Sequence, residues 1–160
     1  MGHKSILAIP ALLGLLHGLS ATAGEPVAYP EGYRHWTHVK TMVLHAGHPL
    51  ADPFQGIHHI YANEKALDGL KDGNYADGSV LVFDLLRYVT AGEASVEGDR
   101  VLVGVMVKDR GNYRDTGGWG FEGWAGNSRS ERLTSDGGAA CFACHTEQAG
   151  HDYVFSRWRD

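Results

Sequence analysis

The chain has 160 residues, with 14 Lys and Arg against 19 Asp and Glu, a formal net charge of −5 at neutral pH. A chain this acidic carries no footprint for nucleic acid or for an anionic membrane surface. Its length and its 22 glycines predict one modest, turn-rich domain without internal repeats or linkers.

The N-terminus comes first. Met1 to Ser5 contain Lys4 and no acid, and Ile6 to Leu19 is an apolar run broken only by Pro10, His17 and glycines. Ala21 and Ala23 then form a small-x-small cleavage pattern, so residues 1–23 read as a secretory signal peptide cut after Ala23. The run is short for a bilayer span of roughly 20 residues. No membrane association is therefore expected after cleavage. Removing Lys4 leaves 13 basic residues against 19 acidic ones, a net charge of −6 for the mature domain, residues 24–160.

That domain reads as mainly β (α+β): an antiparallel sheet with a few short helices. Pro30 to Trp36 predicts one helical turn opened by Pro30. Thr37 to Leu44 and Gly56 to Ala62 predict strands, and Asn63 is placed to cap a short helix over Glu64 to Leu70. Asp77-Gly78 is a turn signal before a long strand, Ser79 to Tyr88, apolar on both faces. Glu97-Gly98-Asp99 predicts a turn into the β-branched strand Val101 to Lys108, and Gly117 to Trp124 predicts another, carrying Trp119 and Phe121. After Asn127 the chain reads as loop, followed by a short helix opened by Cys141-Phe142-Ala143-Cys144-His145.

Those five residues are the most informative of the chain. Cys-x-x-Cys-His is the attachment signature of c-type haem: two thiols for thioether bonds and a histidine to ligate the iron. Cys141 and Cys144 are the chain's two cysteines, so none remains for a structural disulfide. A thioredoxin-like redox pair would want a βαβ context, and a zinc site would need about two further ligands at tetrahedral spacing. An export signal and a haem motif agree on the bacterial periplasm. Fifteen residues follow His145 and none is Met, unlike the small helical electron-transfer cytochromes. Four long amphipathic helices of a bundle cytochrome are also missing from the pattern.

Taken in order, Tyr33-Arg34-x-Trp36, Pro53-Phe54, Tyr61, Asp77-Gly78-Ser79-Val80, Lys108-Asp109 and Gly118-Trp119-Gly120-Phe121 precede the haem motif, and Asp152-Tyr153-Val154-Phe155 follows it. In this arrangement the mature chain resembles the cytochrome P-460 family. The resemblance implies a periplasmic, mainly β, usually homodimeric protein with one haem c. One branch of that family oxidises hydroxylamine and carries a lysine cross-linked to the haem ring on the strand after the Asp-Gly turn. The other, cytochrome c-prime-beta, lacks the lysine and binds NO and CO under a cap of phenylalanines. Here the cross-linking position holds Phe83, and the mature chain's lysines, Lys40, Lys65, Lys71 and Lys108, fall elsewhere. The resemblance therefore implies a distal cap of Phe54 and Phe83. Strand alternation puts Phe83 on one face with Leu81 and Leu85; both phenylalanines also suit plain core packing.

Asp136 aligns near the distal acid of some hydroxylamine-oxidising relatives, and beside Gly137-Gly138 it is equally an ordinary turn residue. Met42 and Met106 read as core filler. His58 and His59 must point to opposite strand faces, and most of the mature chain's histidines outside the motif read as surface residues. Three functions stand open. The first is a five-coordinate haem protein that captures NO (and CO). The second is an oxidoreductase acting on hydroxylamine or NO. The third is an electron-transfer cytochrome with a partner cytochrome, which would need a histidine to swing in as sixth ligand.

Overall fold

A computed structural model of the chain describes residues 25–160. The predicted export signal, residues 1–23, lies outside the described residues.

Five strands form one antiparallel meander in chain order: β1 (Thr37–Leu44), β2 (Gly56–Ala62), β3 (Val80–Ala91), β4 (Ala94–Lys108) and β5 (Trp119–Ala125). An irregular turn of helix, α1 (Ala51–Phe54), joins β1 to β2, and α2 (Glu64–Asp72) joins β2 to β3. The β2–α2–β3 corner is tied by one side chain. Asn63 Oδ1 accepts from the backbone N–H of both Ala66 and Val80, and its amide donates to the Gly78 carbonyl. The predicted helical turn appears as a 3-10 turn over Tyr33–His35.

One expectation is corrected. The hairpin between β3 and β4 turns at Gly92, which has φ 62°, and not at 97–99. Glu97, Gly98 and Asp99 lie inside β4, where Glu97 pairs with Tyr88 and Val96 with Val89. The short helix expected at the cysteine-histidine motif is present as α3 (Ala139–His145), which starts two residues before Cys141.

Because side chains alternate across a strand, the sheet has two apolar faces. One face buries Tyr61, Val82, Val103, Val105 and Trp124 under Val27 and Tyr33 of the N-terminal segment. A cleft of about 310 Å³ opens there, and none of its lining residues belongs to α3 or carries a predicted site side chain. The other face buries Leu81, Met106, Trp119 and Phe121 under α2 and the C-terminal segment, with Cys141, Phe142 and Tyr153 packed against them. Asp84 lies on the first face with no exposure, bonded to Tyr33 and Arg100. Phe83, one residue earlier, therefore points to the second.

Candidate functional site

The second face carries the chemistry. Asp136 launches α3: its carboxylate accepts from the Gly138 and Ala140 N–H groups, which would otherwise be unpaired at the helix start. Those bonds hold its carboxyl below the usual carboxylate range. Cys141 is half-buried and Cys144 exposed, and no disulfide joins them. Three residues apart on a helix, they are neighbours on one surface. Burial first, then the nearby Asp136 and Glu122, pushes the Cys141 thiol pKa up.

His145 is the last residue of α3. Its ring packs between Phe121 and Phe155, at centroid distances of 4.9 and 5.1 Å. Nδ1 lies 2.6 Å from the Tyr153 carbonyl oxygen. A carbonyl only accepts, so Nδ1 carries the proton and Nε2 keeps its lone pair for a metal. Burial lowers the His145 pKa, opposed in part by that same hydrogen bond, and so favours the neutral ring a metal needs.

The predicted pair of phenylalanines does come together. Phe54, at the end of α1, meets Phe83 of β3 edge to face, with centroids 5.7 Å apart and planes at 78°. Across the ladder from Phe83 stands Gly104, and across from Gly104 stands Gly123. A Cβ built at Gly104 would meet only ordinary contacts, 3.6 Å from the Phe83 Cβ. The middle of this face thus lacks side chains of its own on two neighbouring strands, beside an aromatic wall. Leu133, which packs over Gly123, and Phe155, which packs on His145, remain 50% and 43% exposed. Exposed apolar groups around a strip without side chains suit a flat, largely apolar cofactor. With Nε2 of His145 left open, the residues present fit a haem.

The competing chemistries fit less well. The sheet is wholly antiparallel, so the motif has no βαβ context. Among the described residues, no three His, Cys, Asp or Glu side chains gather as a metal cluster. Met106 is core, as expected, but Met42 is 39% exposed on the edge strand. His58 is an exception among histidines that read mostly as surface residues. It is only 4% exposed and lies against Phe83 at 4.6 Å, with its Nδ1 lacking a hydrogen-bond partner. Burial first, then Lys40 and His59, lowers its pKa to about 4.

Sequence reading missed the Gly104–Gly123 strip, His58 and the Tyr153 carbonyl. The glycines carried a signal, since glycine inside a β-branched run marks a close backbone approach.

A mainly β domain with a Cys-x-x-Cys-His helix packed on the sheet face that carries the glycine strip has the make-up of a haem-binding cytochrome. Comparison with protein families matches Cytochrome P460 over residues 30–156, and the chain belongs to that family, whose members bind haem c. A search of curated proteins gives no match.

Proposed function

We propose that this protein is a periplasmic cytochrome that captures NO, and binds CO, at a single five-coordinate haem c. Cys141 and Cys144 form the thioethers, His145 Nε2 is the protein's one iron ligand, and Phe54 with Phe83 caps the opposite side. The observation that carries the reading is the Phe54–Phe83 edge contact beside the Gly104–Gly123 strip, on a strand without lysine. An apolar cap offers no hydrogen bond to a polar dioxygen adduct. NO needs no such help, and distal polarity and steric access are the properties that select between them. The hydroxylamine-oxidising alternative wants a distal base and an altered ring. Asp136 is engaged at the start of α3 instead.

Export through residues 1–23 supplies the compartment where this haem is attached. A homodimer belongs to the same proposal. The β3–β4 hairpin projects beyond β2 and β5 and exposes Val89 and Val96, paired at its end. Sedimentation of the mature protein tests the dimer.

The visible spectrum of the dithionite-reduced holoprotein tests the haem. The expected Soret band is that of an ordinary five-coordinate c-haem. A strongly red-shifted band would mean a cross-linked ring and move the assignment to hydroxylamine oxidation. Sharp low-spin bands would reveal a sixth protein ligand and favour electron transfer. Phe83→Ala then tests the cap by stopped flow: lowering the entry barrier by about 1.4 kcal/mol speeds NO and CO binding roughly tenfold. Unchanged rates would remove Phe83 from the path.

A further inference from the structure

Two consecutive residues after α3, Asp152 (φ 51°) and Tyr153 (φ 66°), occupy the left-handed region. Aspartate tolerates it, whereas a bulky tyrosine there is an outlier that surrounding contacts must hold. This double bend brings the Tyr153 carbonyl to 2.6 Å from His145 Nδ1.

The bend is fixed from every side. Lys108, at the end of β4 and only 2% exposed, places Nζ 2.5 Å from Asp152 Oδ1 and 3.0 Å from the Gly117 carbonyl. The Trp119 indole N–H donates to the Asp152 carbonyl at 2.8 Å, and the Tyr75 N–H donates to Asp152 Oδ2. The Tyr153 ring lies on Gly117, where a Cβ would come within 2.3 Å of it. An ammonium withdrawn from water is unfavourable unless well paired. Apolar side chains could anchor a tail, but a charged pair also fixes direction.

We propose that the Lys108–Asp152 pair is a positioning device for the metal ligand: it holds the Tyr153 carbonyl on His145 Nδ1 and so sets how strongly Nε2 binds iron. A firm acceptor on the second ring nitrogen raises ligand basicity. Loosening the bend weakens that acceptor and, through it, the His145–iron bond. The inference rests on the reading of His145 as the iron ligand.

Resonance Raman spectra of the ferrous holoprotein, together with equilibrium reduction potentials, test it in the wild type, Lys108→Met and Asp152→Asn. The iron-isotope-sensitive Fe–His stretch of both variants is expected at lower frequency than in the wild type. Both potentials are expected to rise, because a less basic ligand favours ferric iron less. The two substitutions remove charges of opposite sign, so a through-space field would move the potentials in opposite directions. Opposite shifts, or an unmoved Fe–His mode in variants with wild-type circular dichroism, would overturn the proposal. Absence of the mode from the wild type would instead overturn the reading of His145. Should Lys108→Met fail to fold, Trp119→Phe takes its place; it removes one donor to Asp152 without changing charge, and the same shifts are expected.

Discussion

Asp84 offers the sharpest energetic test of the two-faced sheet. It is fully buried, accepts from Arg100 Nε at 2.6 Å, from Arg100 Nη2 at 3.2 Å and from the Tyr33 hydroxyl at 2.8 Å, and has Arg34 at 3.5 Å. Breaking a buried ion pair from one side destabilises by about 3–5 kcal/mol, because it leaves the other charge buried and uncompensated. In Arg100→Met, Tyr33 and the half-exposed Arg34 remain, so the lower end applies, about 3 kcal/mol. For a domain of this size that is a fall in melting temperature of about 10 °C. Removing both charges in Asp84→Leu/Arg100→Met leaves only the Tyr33 hydroxyl orphaned, which costs about 1–3 kcal/mol. Adding Tyr33→Phe relieves that too and returns stability toward the wild type. Urea denaturation of the three variants measures the series. The reasoning fails if Arg100→Met is within about 0.5 kcal/mol of wild type, the usual range of surface substitutions, or if the triple variant is as unstable as the single one. Asp84 faces away from Phe83, so gas-binding rates are expected to stay unchanged throughout.

Gly104→Val puts a side chain into the strip, and its Cβ meets the apoprotein at ordinary contact distance. Apoprotein melting should hold or rise, since glycine weakens a strand interior, while haem incorporation, read from the Soret-to-protein absorbance ratio, should collapse. Full incorporation would place the cofactor elsewhere. The His58 pKa falls from 6.5 to about 4 on folding, so the unfolded chain holds a proton that the native state lacks between those values. Stability must then rise with pH across that window by about 3 kcal/mol and be complete above it. His58→Phe should flatten the slope between pH 4.5 and 7, and an unchanged slope would assign it to other groups. Asp136→Ala should lower the melting temperature modestly by uncapping α3 and leave NO binding rates alone; slowed or abolished turnover of hydroxylamine would restore its role as a distal acid.

Much of this molecule is legible in its sequence, for identifiable reasons. The strand over 37–44 alternates enough to be read from its pattern, and the strand over 56–62 is bounded by Gly56 and Asn63. Glu97-Gly98-Asp99 misleads because its composition is that of a turn, yet cross-strand pairing carries β4 straight through it. Alternation separates His58 from His59 but cannot say which face is buried. That follows from register, which sets His58 opposite Leu85 and against Phe83. Phe54 and Phe83 were nameable as a pair only through family resemblance, since their meeting depends on the irregular turn of α1. The Tyr153 carbonyl was beyond reach, because a backbone direction set by two left-handed residues leaves no trace in side-chain pattern.

The two sides of the site are built from different parts of the chain. The wall comes from residues 54–83, locked by strand pairing. The proposed ligand comes from residues 108–155, locked by Lys108, Asp152 and Trp119. Access and ligand strength should therefore be separable properties. In Phe83→Ala/Lys108→Met, the change in NO association rate should equal that of Phe83→Ala, and the change in reduction potential that of Lys108→Met. Sites without shared contacts add to within about 0.5 kcal/mol. A larger deviation would mean that the sheet transmits strain from wall to ligand, and that the strip between them is a moving part of the mechanism and not a passive floor.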